Sequence, residues 1–371
     1  MVWEYVQPVR VIFGCGKKSE VKKIAASAGL GRGVLVCDKV LVDNGTAKSL
    51  TDELGGLIAG TFVEFCPNPT VDSVDACADA IRVMGADFVA VLGGGSAIDV
   101  AKAAAVTAKL GQSIKNYHAT GVMLPDSGLP IIALPATAGT GSEVTPVSVL
   151  TDEVKGIKSP IICQAFYPMA AIIDPELTYT VPPKVAAQTG IDVLCHAVEA
   201  YMSINNQPIC DALAIQATRL VFEHLTAAAT GDKTAKGHMA LASLLAGLAF
   251  GQPKTGAPHA CSFVLTNRYG IAHGEACALT LDYFLEIAAI GERQRLQSFA
   301  IQTGFEDIAR LAEKIRELKK ELGLMANLKH LNLTDEDIKA LIKDSRHPNM
   351  NNSPVEITDE MLSTLYQRIR T

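Results

Sequence analysis

The spacing of hydrophobic residues divides the chain into two halves. In the first half, short apolar and β-branched runs predict strands at VRVIFG (9–14), GVLVCD (33–38) and FVAVLGGG (88–95). A fourth strand is predicted within PIIALPATAGTGSE (130–143). Segments with helical spacing, such as SVDACADAIRVMG (73–85), lie between these strands. Strands that alternate with helices predict an α/β domain with a largely parallel sheet.

After DPELTYTVPP (174–183) the pattern changes, because alanine and leucine dominate and periods near 3.6 replace period 2. Helices are predicted at KVAAQTGIDVLCHAVEAYMS (184–203), ALAIQATRLVFEHL (212–225) and HMALASLLAGLAF (238–250). Proline suits the first turn of a helix but not its interior, so the pair Pro182-Pro183 favours a boundary. We therefore predict an α/β N-terminal domain over 1–181 and an all-α C-terminal domain over 182–371.

Composition narrows the class of protein. The 371 residues are 49% apolar and 19% charged, which is typical of a globular chain. The net charge is −6 and there is no basic block, which argues against a nucleic-acid partner. The N-terminus lacks the build of a signal peptide, and the longest apolar run, 240–250, is too short to span a membrane. Nine cysteines without a CxxC pair indicate reduced thiols. We expect a cytoplasmic protein.

The segment VLGGGSAIDVAK (91–102) is a candidate phosphate-binding loop. A predicted buried strand ends in Gly93, Gly94 and Gly95, and Ser96 is predicted to cap the following helix with Asp99 at its third position. Glycines allow backbone amides to approach an anion, and the helix N-terminus adds partial positive charge. A pyrophosphate fits this arrangement, although an ordinary tight strand-to-helix turn has the same pattern.

Two further features of the first half suggest a dinucleotide. Asp38 ends the strand GVLVCD, where a carboxylate can accept ribose hydroxyls and repel a 2′-phosphate, which favours NAD over NADP. An exposed turn aspartate explains that residue equally well. The loop PATAGTGSEVTP (135–146) is rich in hydroxyls and small residues, so it is either a contact for the cofactor or a tight connection.

The second half contains a candidate metal site. Asp192 and His196 stand four residues apart in GIDVLCHAVEAY, which places both on one helical face. His259 and His273 follow within the apolar segment GAPHACSFVLTNRYGIAHG (256–274). One carboxylate and three imidazoles form a complete N/O ligand set for a divalent first-row metal, without the thiolates of a structural zinc finger. The residues alone leave open whether these histidines are ligands or satisfied core residues.

These motifs together resemble a known family, the iron-containing (group III) alcohol dehydrogenases. The matching segments occur in the expected order: GGGSAIDVAK, PATAGTGSEVTP, DPELTYTVPP, GIDVLCHAVEAY and GAPHACSFVLTNRYGIAHGEA. The resemblance runs from about residue 8 to about residue 290. It implies a dehydroquinate synthase-like architecture, with a dinucleotide-binding α/β domain, a helical domain and a metal in the cleft between them.

The resemblance also implies roles for individual residues. The metal ligands would be Asp192, His196, His259 and His273, holding Fe²⁺ or, as in some relatives, Zn²⁺, with no catalytic residue separate from this site. The NAD(H) site would comprise Asp38, Asn68, Gly94, Gly95, Ser96, Asp99, Thr137, Thr140, Ser142 and Lys158.

One position departs from the family pattern. Many members carry a second histidine one turn after the third ligand, where it is thought to relay a proton, whereas this chain has Phe263. The surrounding segment, 254–281, looks more like the branch typified by phosphonoacetaldehyde reductases. Lys254, Asn267 and Arg268 flank the candidate ligands and could meet an anionic substrate, unless Lys254 and Arg268 are simply surface residues.

The sequence therefore predicts a metal-dependent, NAD-linked alcohol dehydrogenase or aldehyde reductase. We expect a short aldehyde or its alcohol as substrate, with a phosphonate-bearing aldehyde as the sharper hypothesis. The alternatives are a dehydroquinate synthase-like or glycerol dehydrogenase-like enzyme on the same fold, and a non-catalytic nucleotide-binding protein. A homodimer is also expected, because the N-terminal strand VRVIFG has no early partner and could pair across a two-fold axis.

Overall fold

The computed structural model describes residues 2–371, which divide into two compact units. The α/β unit consists of Gln7–Thr137 and Gly141–Val181. The helical unit consists of Pro182–Thr371, together with Ala138–Thr140 and the first residues up to Val6.

The α/β unit contains a parallel sheet, as predicted. Its strands are β1 (Arg10–Phe13), β2 (Gly33–Cys37), β3 (Ile58–Phe62), β4 (Phe88–Gly93), β5 (Ile131–Pro135), β6 (Val147–Asp152), β7 (Ile157–Ile162) and β8 (Ala170–Ile173). Six of them form one sheet in the order β1-β8-β5-β4-β2-β3, in which every neighbouring pair is parallel. The other two, β6 and β7, form a separate antiparallel pair that the sequence analysis did not anticipate.

Both faces of the parallel sheet are covered, as a parallel sheet requires. The helices of this unit are α1 (Glu20–Ser27), α2 (Lys39–Asp43), α3 (Thr46–Leu54), α4 (Val71–Val83) and α5 (Gly95–Leu110). Short 3-10 turns occupy Lys17–Ser19, Ile114–Asn116, Ser142–Val144, Gln164–Phe166 and Pro175–Thr178. Along β2, Val34 and Val36 join a buried cluster with α4 and α5, whereas Leu35 and Cys37 join one with α1 and α3. This alternation places each set on its own face.

The N-terminal strand has no partner early in the chain, but it has one late in the same chain. Strand β1 pairs in parallel with β8, so that Arg10 lies opposite Ala170 and Phe13 opposite Ile173. The partner strand comes about 160 residues later in the chain, and a separation of that length gives no local signal. Because β1 ends the strand order, its outer edge has no neighbour within the described sheet. The homodimer stays a prediction.

The helical unit carries the remaining helices. They are α6 (Pro183–Met202), α7 (Pro208–Ala229), α8 (Lys233–Phe250), α9 (Ala257–Tyr269), α10 (His273–Gly291), α11 (Arg293–Gln302), α12 (Ile308–Glu321), α13 (Asp335–Asp344) and α14 (Asp359–Arg370). Short 3-10 turns occupy Lys329–Leu331 and Pro348–Asn352. Helix α6 begins at Pro183, in its favoured first-turn position, and is buried through most of its length. No helix within residues 2–371 combines the length and the hydropathy that a membrane crossing needs.

Candidate metal centre and nucleotide-binding loop

Three helices of the helical unit bring ionisable side chains together. Helix α6 contributes Asp192, His196 and Glu199, which lie on one helical face because they are spaced by four and three residues. Helix α9 contributes His259, and His273 is the first residue of α10. Asp192, His196, His259 and Glu199 are all at least 95% buried, which is costly for polar groups unless they are paired.

The distances join the four predicted ligands into one cluster. The Nε2 atoms of His196 and His259 are 3.1 Å apart. Asp192 Oδ1 lies 3.7 Å from His259 Nε2, and its Oδ2 lies 3.9 Å from His196 Nδ1. Ligand atoms of Asp192, His259 and His273 also lie within 4.8 Å of one another, together with the sulfur of Cys277. Two nitrogens bound to one ion at about 2.1 Å are separated by roughly 3.0–3.4 Å, which the histidine pair matches.

A glycine allows two of these helices to approach closely. Gly274 follows His273 at the start of α10, and a Cβ placed there would lie 2.7 Å from the Cβ of Asp192 and would clash with the carbonyl oxygen of Gln188. Any larger residue would therefore push α10 away from α6. Gly274 thus brings His273 within reach of the carboxylate on α6.

Hydrogen bonds set the tautomers of His259 and His273. Glu199 Oε1 accepts from His259 Nδ1 at 2.5 Å, which leaves the lone pair of this ring on Nε2. Ser262 donates its hydroxyl to the carbonyl oxygen of His259 at 2.7 Å. Towards His273 Nδ1, at 3.3 Å, the same hydroxyl oxygen can therefore only accept. Both rings consequently present the unprotonated Nε2 that a metal ion requires.

The unpartnered carboxylate oxygen of Asp192 fits a cation. Asp192 Oδ1 and His196 Nδ1 are buried and have no hydrogen-bond partner within the described part of the chain. Without a cation, one imidazole could donate across the gap of 3.1 Å, but the carboxylate oxygen of Asp192 would still lack a partner. A divalent ion held by the Asp192 carboxylate and by the facing Nε2 atoms of His196 and His259 would satisfy Asp192 Oδ1, so the residues present fit such an ion.

The pKa values of the two facing histidines are shifted in opposite directions. Burial lowers the pKa of His196 to about 3, against the opposing effect of the Asp192 carboxylate, so this ring is neutral. Burial also lowers the pKa of His259, but the charge and hydrogen bond of Glu199 outweigh that effect and leave the pKa above its usual value. Glu199 thereby strengthens His259 as a base directed at the cluster.

Two members of the cluster were missed in the sequence analysis. Glu199 could have been found, because it extends the Asp192 and His196 spacing by one helical turn along the same face. Cys277 lies one turn after His273 on α10, and its sulfur is 3.9 Å from His273 Nε2. The four predicted ligands include no thiolate, but the structure places this thiol beside them.

Phe263 lies beside the cluster as an apolar wall. Its ring is nearly parallel to that of His273, with centroids 6.4 Å apart, and lies 4.9 Å from the ring of His347. His347 belongs to the polar segment that follows α13, which is anchored where Asn349 donates to the hydroxyl of Thr255 at 2.9 Å. Phe263 thus contacts a second, half-buried imidazole in addition to His273.

The predicted cationic contacts lie at the surface. Lys254 and Arg268 are exposed, as is Asn267. The guanidinium of Arg268 pairs with the carboxylate of Asp344 at 2.7 Å, with 38% of the arginine side chain exposed. Lys254 has a left-handed backbone, with φ of 65°. The structure therefore gives Arg268 a carboxylate partner of its own.

In the α/β unit, the glycine loop connects β4 to α5. Strand β4 ends at Gly93 and α5 begins at Gly95, with Gly94 as an extended N-cap residue and Ser96 inside the first turn. The prediction that Ser96 caps the helix is wrong, because the backbone of Gly94 already occupies that position and no side chain caps it. The loop remains a strand-to-helix turn in which a helix N-terminus follows glycines.

Asp38 and Thr137 lie against this loop. Asp38 Oδ2 accepts from the backbone amide of Gly94 at 2.7 Å. A Cβ on Gly93 would lie 2.6 Å from the same carboxylate oxygen, so only glycine allows this approach. The hydroxyl of Thr137 also borders Gly94. Because β2, β4 and β5 end here side by side, the loop lies at the carboxyl ends of parallel strands, where such sheets bind ligands.

The other predicted cofactor residues separate into groups. The buried carboxylate of Asp99 accepts from the Ser142 hydroxyl at 2.7 Å and from the Val149 amide at 2.9 Å. The same hydroxyl accepts from Lys102 Nζ at 2.8 Å. These bonds give Asp99 and Ser142 a bracing role between α5 and the loop after β5. Two further predicted residues meet where Lys158 Nζ donates to Asn68 Oδ1 at 2.7 Å.

Thr140 is the one predicted cofactor residue that groups with the helical unit. It belongs to the short stretch Ala138–Thr140 that groups with the helical unit. In that stretch the amide of Gly139 donates to the hydroxyl of Ser243 at 2.8 Å.

Comparison with protein families gives two matches that together cover most of the chain. Residues 8–175 match the family described as iron-containing alcohol dehydrogenase. Residues 186–370 match the family described as Fe-containing alcohol dehydrogenase family, C-terminal.

Individual relatives match over nearly their full length. Long-chain-alcohol dehydrogenase 1 of Geobacillus thermodenitrificans is 34% identical over 364 residues, covering 94% of this chain and 91% of the relative. Sulfoacetaldehyde reductase of Bilophila wadsworthia is 31% identical, covering 89% of each chain. Among solved structures, sulfoacetaldehyde reductase from Bifidobacterium kashiwanohense in complex with NAD⁺ is 51% identical with a TM-score of 0.98, covering 100% of this chain and 99% of that one. The alcohol dehydrogenase from Oenococcus oeni is 28% identical with a TM-score of 0.93, covering 99% and 100%.

Proposed function

We propose that this chain, which belongs to the iron-containing alcohol dehydrogenase family, uses NADH to reduce a short aldehyde that bears a terminal sulfonate. The observation that carries the proposal is the 51% identity and the TM-score of 0.98 to a sulfoacetaldehyde reductase over the whole chain. Sulfonate and phosphonate are both tetrahedral oxyanions, so a site for one would also suit the phosphonate-bearing substrate that the sequence suggested. The physiological product would then be the corresponding hydroxyalkyl sulfonate.

The helical unit would hold the metal. Asp192, His196, His259 and His273 are the proposed ligands, and Fe²⁺ is the proposed ion, with Zn²⁺ as the alternative. When bound, such an ion acts as a Lewis acid that polarises a carbonyl oxygen.

Neighbouring residues orient two of the proposed ligands and line the centre. Glu199 holds His259 with its Nε2 directed at the cluster, and Ser262 does the same for His273. The apolar ring of Phe263 excludes water beside His273. Because the side chain has no titratable group, it cannot transfer a proton.

The α/β unit would bind NAD(H) through its glycine loop. The N-terminus of α5 suits a pyrophosphate, and the carboxylate of Asp38 is held beside the loop by the amide of Gly94. Burial raises the pKa of Asp38, although the bond from Gly94 opposes this shift. An ionised Asp38 would repel a 2′-phosphate, which supports NAD as the cofactor.

Replacing Asp38 with asparagine should raise the use of NADPH relative to NADH by about tenfold or more. Asparagine keeps an oxygen that can accept from Gly94, so the loop is preserved while the negative charge is removed. Removing one like-charge contact is worth about 1–2 kcal/mol, or roughly one factor of ten. The measurement is kcat/KM for both cofactors. If the wild-type protein already uses the two equally, Asp38 does not have this role.

A panel of aldehydes tests the proposed substrate class. Metal-reconstituted protein should have at least about tenfold higher kcat/KM for sulfoacetaldehyde than for propanal, because a charged contact in a binding site is worth about 2–5 kcal/mol. Phosphonoacetaldehyde distinguishes the two oxyanions. If propanal and acetaldehyde react as well as both anionic aldehydes, only the general aldehyde reductase activity remains.

Two variants test whether Arg268 supplies the cationic contact. Arg268→Ala should remove most of the preference for the anionic aldehyde while leaving kcat/KM for propanal unchanged. Asp344→Ala is the matched variant, because it removes the carboxylate that now pairs with Arg268 and should keep or increase the preference. A preference that survives Arg268→Ala would assign anion recognition to other groups and would leave the proposed activity intact.

The cysteines support a cytoplasmic location as part of this proposal. All nine lie within residues 2–371 and are free thiols, and seven of them, including Cys195, Cys261 and Cys277, are buried. Free thiols are typical of a reducing compartment.

A further inference from the structure

Cys277 places a sulfur atom in the proposed metal centre. The residue is buried on α10, one helical turn after His273. Its Sγ lies 3.9 Å from His273 Nε2, and ligand atoms of Asp192, His259, His273 and Cys277 all lie within 4.8 Å of one another. Among residues 2–371, this is the set of histidine, cysteine and acidic side chains whose donor atoms converge in this way.

The centre therefore contains two overlapping ligand sets. Asp192, His259 and His273 are common to both, and the fourth ligand is either His196 or Cys277. With His196 the set has three nitrogens and one carboxylate oxygen, which suits Fe²⁺ and similar ions. With Cys277 it has two nitrogens, one oxygen and one sulfur, which suits softer ions such as Zn²⁺.

The distances are compatible with a tetrahedral ion bound to sulfur. Zinc binds sulfur at about 2.3 Å and imidazole nitrogen at about 2.0–2.1 Å, so the two donor atoms are roughly 3.5 Å apart. The separation of 3.9 Å between Cys277 Sγ and His273 Nε2 exceeds this by a few tenths of an ångström, which a small χ1 rotation removes. Ser262 keeps the proton of His273 on Nδ1, so Nε2 is the atom that faces both the ion and the thiol.

We propose that Cys277 is a direct ligand for thiophilic divalent cations, so that the centre holds Zn²⁺ through Asp192, His259, His273 and Cys277. On binding, the S–H bond of Cys277 breaks, its proton leaves to solvent, and a bond between sulfur and the metal forms. The identity of the ion thereby selects which fourth residue completes its coordination. This inference rests on the proposed metal centre but not on the proposed substrate.

Cobalt(II) is the probe for this ligand, because thiolate coordination gives it a sulfur-to-metal charge-transfer band in the near ultraviolet. Metal-free wild-type protein titrated with Co²⁺ should develop this band, and Cys277→Ser should bind Co²⁺ without it. Cys261→Ser is the matched control, since Cys261 is also buried but lies on α9, where its thiol faces Tyr366 and Ser345. The control should keep the band at full intensity.

Metal affinity gives a second, independent readout. Competition with a chelator should show a Zn²⁺ affinity that is lower in Cys277→Ser by at least the roughly 10- to 100-fold cost of losing a supporting partner. The affinity for Mn²⁺, which prefers oxygen and nitrogen ligands, should change little in the same variant. Equal Zn²⁺ affinity in the wild type and Cys277→Ser overturns the proposal.

The outcomes separate this proposal from the metal centre itself. Wild-type protein that binds Co²⁺ without the charge-transfer band overturns the role of Cys277 and leaves the ligand set with His196 intact. Wild-type protein that binds no Co²⁺ overturns the metal centre and this proposal together. Because these two Co²⁺ outcomes are measured on the wild-type chain, neither depends on whether the serine variant folds. For the comparisons that use a variant, circular dichroism of each metal-free variant checks its fold.

Discussion

Replacing His259 with alanine should reduce metal content from about one ion per chain to near zero. His259 is the most connected member of the cluster, with its Nε2 3.1 Å from His196 and 3.7 Å from Asp192. The alanine variant removes one ligand and also the ring that Glu199 positions. The measurement is metal analysis after reconstitution with Fe²⁺ under anaerobic conditions.

The loss of metal should also lower the catalytic activity. Lewis-acid stabilisation of a developing charge is worth several kcal/mol, and each 1.4 kcal/mol is a factor of ten, so kcat/KM should fall by roughly 100- to 10,000-fold. Binding of NADH, measured by fluorescence, should be unchanged, because the glycine loop belongs to the α/β unit. That contrast distinguishes a lost metal centre from a general loss of structure.

The fold of the His259→Ala variant needs its own check. Removing the imidazole leaves Glu199 with the amide of Gly256 as its remaining strong partner, which should lower the free energy of unfolding by about 1–3 kcal/mol. His224→Ala is the control, since His224 also lies on a helix of this unit but stacks on His238. Full metal occupancy in the His259 variant would remove His259 from the ligand set.

The sequence predicts the fold of the α/β unit well because that fold depends on local patterns. The strand at 88–95 and the helix after it are visible as a buried run, three glycines and a helical period, and the structure has β4 and α5 there. The position of β1 could not be predicted, because its partner β8 lies far along the chain and parallel pairing leaves no turn signal. The β6–β7 pair was missed for a different reason, since its sequence, with Pro160 inside a strand, does not read as a hairpin.

Side-chain partners in the candidate sites were harder to predict. The spacing of Asp192 and His196 identifies a shared helical face, and the structure brings His259 to that face. The sequence also predicts Asp99 as part of the phosphate loop, yet its carboxylate accepts from Ser142 and Val149, residues that tertiary packing brings to it. Helical spacing reports which residues share a face, but it does not report which atoms meet across two elements.

The role of Glu199 could have been predicted from the sequence by extending the helical spacing of Asp192 and His196 by one turn. Its place on α6 follows from the helical period, and its burial requires partners for both carboxylate oxygens. The structure supplies two donors, His259 Nδ1 at 2.5 Å and the Gly256 amide at 2.6 Å. Glu199 is therefore a positioning residue, which acts on the metal centre through His259.

Replacing Glu199 with glutamine should weaken metal binding by about 10- to 100-fold, the usual cost of removing the group that orients a ligand histidine. Both partners of Glu199 are donors, and one half of the glutamine amide is also a donor, so one of the two bonds must be lost. An amide NH₂ facing His259 would move the ring proton to Nε2, where it blocks the metal. Chelator competition measures the affinity, and kcat should recover at saturating metal because the ligands themselves remain.

A matched variant separates this effect from the general cost of altering a buried carboxylate. Glu275 is also buried and also accepts from two donors, Gln188 Nε2 at 2.8 Å and the Met325 amide at 2.7 Å, neither of which is a histidine of the centre. Glu275→Gln should therefore lower the melting temperature about as much as Glu199→Gln while leaving metal affinity unchanged. If the two variants lose metal affinity equally, Glu199 contributes only to packing, and the orientation of His259 depends on other contacts.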